Sequence, residues 1–221
     1  MKKTICVLAM VAMTGPVSLM ADVITSYKVT WDTSPLQQQL LLEPGLEIYF
    51  GAQLTDGGGI SGNTTIVFTN FDLGLGMALP SKSSEGSVLG DLYGNIWMQD
   101  NSFFNGFLQR FLPGEKFNFR LNVGFFPDPG PFPDAFNFGL YRLNPDGFEP
   151  FYSYSPFGNA ANADFTDPFT IAGYDTFLDD NYIVPAPRFE EVPGVPEPAT
   201  WTLLAIGACL MGMGRYRRQA N

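Results

Sequence analysis

Along most of the chain, apolar residues recur at every second position. The plainest stretch is Lys116 to Phe126. Phe117, Phe119, Leu121, Val123 and Phe125 alternate there with Asn118, Arg120, Asn122 and Gly124. Period two predicts a strand with one face buried and one face wet. Ala135 to Leu143 repeats the pattern through Phe136, Phe138 and Leu140. The turn sequence Asn144-Pro145-Asp146-Gly147 then predicts a hairpin into Phe148 to Tyr152. Val23 to Trp31, Leu46 to Phe50, Thr64 to Phe71, Leu92 to Met98 and Pro168 to Gly173 are further strand candidates, rich in β-branched and aromatic residues. One segment departs from this period. Phe103, Phe104, Phe107, Leu108 and Phe111 fall at helical spacing within Asn101 to Phe111. Asp100 or Ser102 caps the start and Pro113-Gly114 ends it. Gly106 weakens such a helix by up to ~1 kcal/mol. The pattern predicts an all-β fold over residues 22–183: a single antiparallel β-sandwich, jelly-roll-like, with one short crossover helix.

The two ends have a different pattern. Lys2 and Lys3 precede the apolar run Ile5 to Met13, broken by Gly15 and Pro16. A small residue at Ala21, with Asp22 as the mature start, completes a secretory signal peptide over residues 1–21. At the other end, Ala199 to Gly214 carries no charge and is followed by Arg215, Tyr216, Arg217 and Arg218. A helix of that length spans roughly 24 Å, short of a ~30 Å hydrocarbon core. Trp201 and Tyr216 at the interfaces, with snorkelling arginines, make a short transmembrane helix tolerable. The basic cluster Arg215, Arg217 and Arg218 is expected on the cytoplasmic side and the body on the far side. Alternating prolines over residues 184–194 predict a stiff extended spacer between body and tail.

Charge sharpens this division. All 22 acidic residues lie between Asp22 and Glu197, with seven basic ones, which leaves that span a net charge of −15. Such a body repels nucleic acid and anionic lipid, and no nucleic-acid partner is expected. Cys6 and Cys209 both lie in the apolar ends, and histidine is absent throughout. A body without thiol or imidazole lacks the commonest nucleophile, general base and transition-metal ligands. No catalytic residue, cofactor or metal is expected. Asp179-Asp180 and Glu190-Glu191 read as solvated turn or spacer residues rather than a glycosidase pair. Ser81-Lys82-Ser83-Ser84 has the residue types of a Ser-Lys pair in a polar, loop-like setting. Asp175, Asp179, Asp180 and Asn181 are hard oxygen ligands, but match no EF-hand spacing. Gly57-Gly58-Gly59 reads as a hairpin, and Asn63-Thr64-Thr65 as a weak glycosylation sequon. Phe125, Phe126, Phe132, Phe148, Phe151, Tyr152 and Tyr154 cluster in loops, where rings either close the core or stack on sugars.

Val195-Pro196-Glu197-Pro198, the apolar helix and the arginine cluster, together spanning 195–219, resemble the PEP-CTERM sorting signal of Gram-negative bacteria. The resemblance implies export through the secretion translocon and transient anchoring in the inner membrane. It also implies processing at Pro196, Glu197 and Pro198 by an exosortase-type membrane protease, with release to the cell surface or extracellular matrix alongside exopolysaccharide. The body resembles uncharacterised exported PEP-CTERM proteins through Asp32-Thr33-Ser34, Thr69-Asn70-Phe71, Asn101 to Phe111, Phe117 to Val123 and Asp134 to Leu140. That likeness implies a β-sandwich of unknown activity. The leading expectation is a non-enzymatic structural or adhesive protein, and the alternative is a carbohydrate-binding module for exopolysaccharide.

Overall fold

The computed structural model describes residues 23–58, 60–125, 134–145, 147–153, 155, 158–165, 170–178 and 182–193. The signal segment, its cut at Ala21 and Asp22, and the tail lie outside them. Among the described residues there are fifteen strands and one helix, numbered along the chain.

The strands form two large antiparallel sheets. The first runs β15 (Arg188–Val192), β1 (Val23–Asp32), β8 (Lys116–Phe125), β3 (Thr64–Asp72), β6 (Ile96–Gln99) and β5 (Val88–Gly90). The second runs β12 (Thr170–Gly173), β11 (Ala161–Asp164), β9 (Ala135–Asn144), β2 (Ile48–Thr55), β7 (Phe104–Leu112) and β4 (Met77–Glu85). Strand β10 (Gly147–Pro150) pairs with β9 as the expected hairpin. The two-residue strands β13 (Thr176–Phe177) and β14 (Ile183–Val184) form a small ribbon.

The two sheets face each other across one apolar core. Phe50 of β2 meets Phe68, Phe117 and Phe119 of the other sheet at ring-centroid distances of 5.6, 5.1 and 6.0 Å. Such edge-on contacts add about 0.5–1.5 kcal/mol per pair beyond area burial. The alternation that predicted β8 decides this: its buried positions are Phe117, Phe119, Leu121, Val123 and Phe125. Gly51 of β2 is required by packing, because a Cβ there would sit 2.4 Å from the Tyr141 ring.

Three expectations are corrected. The segment Asn101 to Phe111 is not a helix; Phe104–Leu112 is β7. Its inward positions are Asn105, Phe107, Gln109 and Phe111, so two polar residues interrupt the apolar alternation and leave a helical-looking residue. Both are fully buried and used. Gln109 Oε1 accepts the Leu92 N–H at 2.8 Å and its Nε2 donates to the Leu79 carbonyl at 2.8 Å. Asn105 Oδ1 accepts the Ser87 N–H at 2.8 Å while Nδ2 donates to the Ser102 carbonyl at 2.7 Å. The helix of the fold is α1 (Ser34–Leu42) instead, opened by Pro35 and by Asp32, whose Oδ1 accepts the Ser34 N–H and hydroxyl at 3.0 and 2.7 Å. The expected spacer over 184–194 is largely body. Strand β15 pairs with β1 from Ser26↔Val192 to Thr30↔Arg188. An extended proline-flanked chain needs only an open sheet edge to become a strand, and β1 supplies one. Finally, the glycines at 57 and 58 do not close a hairpin, since β2 and β3 belong to different sheets.

Candidate functional site: a sorting tail and a buried carboxyl pair

The expected surface chemistry does not converge. Ser81, Lys82, Ser83 and Ser84 lie in edge strand β4, where Lys82 Nζ donates to the Gly90 carbonyl at 3.1 Å and stands 3.6 Å from Asp91. Glu190 and Glu191 lie in β15. Asp179, Asp180 and Asn181 lie outside the described residues, while Asp175 Oδ1 accepts the Ala186 N–H at 2.7 Å. The aromatic loop cluster divides. Phe125 and Phe151 belong to the core, whereas Phe148 and Tyr152 are 43% and 62% exposed. Phe126, Phe132 and Tyr154 fall outside the described residues. In the sequon, Thr64 is fully buried and its hydroxyl is already donated to a carboxylate.

That carboxylate belongs to a pair that sequence reasoning missed. Asp100 follows β6 of the first sheet and Asp134 precedes β9 of the second. Asp134 Oδ2 accepts the Thr64 hydroxyl at 2.6 Å and Oδ1 accepts the Gly57 N–H at 2.9 Å. Asp100 Oδ1 accepts the Thr64 N–H at 3.1 Å. Its Oδ2 is shut off from solvent and faces no N–H or O–H donor, and the Asp134 carboxyl group is a close neighbour of the Asp100 side chain. Burial, and secondarily the adjacent Asp134 charge, push the Asp100 carboxyl up to about 6 against the opposing Thr64 N–H. A proton retained on Asp100 gives the otherwise orphaned oxygen an O–H to donate. Asp100 is 0% and Asp134 2% exposed, so the pair ties the two sheets together at one end and presents no open cleft. The signal available in the sequence was an Asp at each end of an alternating strand, which an ordinary surface turn also shows.

No helix among the described residues is long and apolar enough to cross a membrane. Those residues also hold no cluster of three or more acidic, Cys or His side chains able to bind a metal. The sorting residues Val195, Pro196, Glu197 and Pro198, and the basic Arg215, Arg217 and Arg218, begin just beyond β15 and lie outside the described residues. No curated protein matches the chain, and no solved structure matches it. A family model does match the C-terminal segment, and it implies processing by an exosortase-type membrane enzyme, with export and transient anchoring before surface release. Residues 194–218 of this chain carry a PEP-CTERM protein-sorting motif.

Proposed function

We propose that the chain is a non-enzymatic surface or extracellular-matrix protein of a Gram-negative bacterium, delivered by an exosortase-type system. In this reading the signal peptide is removed after Ala21, and the apolar tail holds the protein in the inner membrane by a transmembrane helix. Processing near Pro196-Glu197-Pro198 then frees the body, a β-sandwich of the jelly-roll kind with a structural or adhesive role. The observation that carries the reading is the sorting motif at residues 194–218. The last described strand of the body ends at Val192, immediately before it, and is already paired along β1. Ending the chain at residue 193 is therefore expected to leave a folded protein that fails to reach the cell surface. Surface display equal to that of the full chain would overturn the reading. Mass spectrometry of the mature termini locates both cuts.

A second reading, a carbohydrate-binding module for exopolysaccharide, is favoured by one observation. The rings of Phe148 and Tyr152 are 43% and 62% exposed, and exposed rings offer flat faces on which a sugar ring can stack.

A further inference from the structure

The strands of the first sheet end at two poles. At one of them Val23 of β1, Phe125 of β8 and Thr64 of β3 lie side by side. Two loops that cross between the sheets close this pole. Residues 56–63 lead from β2 to β3, and residues 100–103 lead from β6 to β7. The loops are tied to each other. The Asp56 N–H donates to the Phe103 carbonyl at 3.0 Å, and the Ser61 hydroxyl donates to the Asp100 carbonyl at 3.0 Å. Each loop holds one large apolar side chain out to solvent, for Ile60 is 60% and Phe103 76% exposed. Core packing accounts for neither.

The same pole is where the body is tethered. Strand β15 runs antiparallel to β1 and has reached Ser26 by Val192, so the chain leaves the body heading for the Val23 end. Seven residues carry it from Val192 to Ala199, where the uncharged run to Gly214 begins. They reach at most roughly 25 Å. From Ser26, β1 climbs roughly 20 Å to Asp32 at the far pole. A membrane that holds the tail therefore meets the near pole with slack. It meets the far pole only with the link drawn fully back along the body.

Charge separates the two poles as well. Residues 57–63 and 101–106 carry no charge, in a body with 22 acidic residues. Asp100 is buried, and Asp56 is half-buried with its Oδ1 accepting the Gly58 N–H at 2.9 Å. Glu85, opposite Gly106, and Asp164, opposite Ala135, stand at the rim. The far pole also exposes apolar side chains, Leu41, Leu75, Met77 and Leu112. It sets them among the exposed carboxylates of Asp32, Glu43, Asp72 and Glu115. A carboxylate pressed against a bilayer loses hydration, and an anionic lipid surface repels it.

We infer that the near pole rests on the bilayer surface while the tail is anchored, with Phe103 and Ile60 seated among the lipid headgroups. The inference rests on the anchored-tail reading and names the surface that the tethered body meets. Apolar side chains on uncharged loops gain from the boundary between headgroups and acyl chains. Two of them hold a protein to lipid only weakly, and the tail supplies the local concentration that keeps them there. Processing near Pro196 removes the tail, and the body then leaves the surface.

The test places the full chain, carrying Cys6→Ser and Cys209→Ser, in phosphatidylcholine–phosphatidylglycerol vesicles. A polarity-sensitive fluorophore is attached at Phe103→Cys or, on the far pole, at Leu75→Cys. The label at 103 is expected to shift to the blue and to be quenched by nitroxide lipid, while the label at 75 reports water. A label at Ser61→Cys should also be quenched, and should return to water when Ile60→Asp/Phe103→Asp is added. Both labels in water, the label at 75 in lipid, or no effect of the double substitution would each overturn the inference. So would lipid contact that arises only once an exosortase-type enzyme is added, which would make that enzyme the partner. Circular dichroism of each variant excludes unfolding as the cause. Flotation of the vesicles reads the anchor separately. A chain that floats with both labels wet loses this inference alone, and a chain that does not float loses the anchored-tail reading with it.

Discussion

Asp100 is the residue at which charge and fold conflict most directly. Its carboxyl ionises at about 6 in the folded protein, against ~3.9 for an unperturbed Asp. An acid whose folded value is raised binds its proton more tightly in the folded state than in the unfolded one. Its contribution to stability is therefore greatest below pH ~4 and falls as pH rises towards 6. About two units at ~1.4 kcal/mol each bound the loss at roughly 3 kcal/mol. Asp100→Asn keeps the acceptor for the Thr64 N–H and supplies a permanent N–H donor to Asp134. The variant is expected to match the native chain near pH 4, to exceed it in stability at pH 7.5, and to unfold with a flatter pH dependence. Urea unfolding across that range checks this, and parallel curves would refute a proton retained on Asp100. The partnership between Asp100 and Asp134 was illegible in the sequence because it joins residues 34 positions apart on different sheets.

At the scale of elements, legibility followed the integrity of the alternation. Strands β8 and β9 were plain because nearly every inward position is apolar. Strand β7 was misread because Asn105 and Gln109 occupy inward positions, where they satisfy backbone groups of neighbouring loops. Strand β4 carried no signal: of Met77–Glu85, one residue, Ala78, is buried. It is an edge strand, and its Pro80 and Lys82 are the kind of residues that protect an open edge from further pairing. The last strand was hidden by prolines on both sides. Phe189 shows that it belongs to the body, since its ring lies 6.2 Å from Tyr27 and 6.1 Å from Phe138. Phe189→Ala should cost about 2–4 kcal/mol in chemical unfolding. A change near zero would mean that residues 188–192 are a spacer after all.

For the whole molecule, the sequence was most legible where function is carried by a linear signal. The sorting tail is read by residue order alone, so its motif could be recognised without a structure. The body is different, because its distinctive features exist only after folding. Lys28, Arg120 and Arg188 are 92 and 68 residues apart in sequence, and only the order β15-β1-β8 makes them neighbours. Lys28 stands between Arg120 of β8 and Glu190 of β15, so the fold mixes both signs of charge on that face.

The pairing of the first and last strands also fixes where the chain enters and leaves. With Ser26 opposite Val192, both ends of the body emerge from the same pole of one sheet, a strand spacing of ~5 Å apart. Residue order is then nearly cyclic. A linker of a few residues can close it, and new ends can be opened at Gly45, an exposed position with open space around it. Such a circular permutant is expected to fold with the native near-ultraviolet circular dichroism, and an unfolded product would refute the shared pole. The same geometry sets the start of β1 beside the end of β15, so the chain enters and leaves the body at a single place.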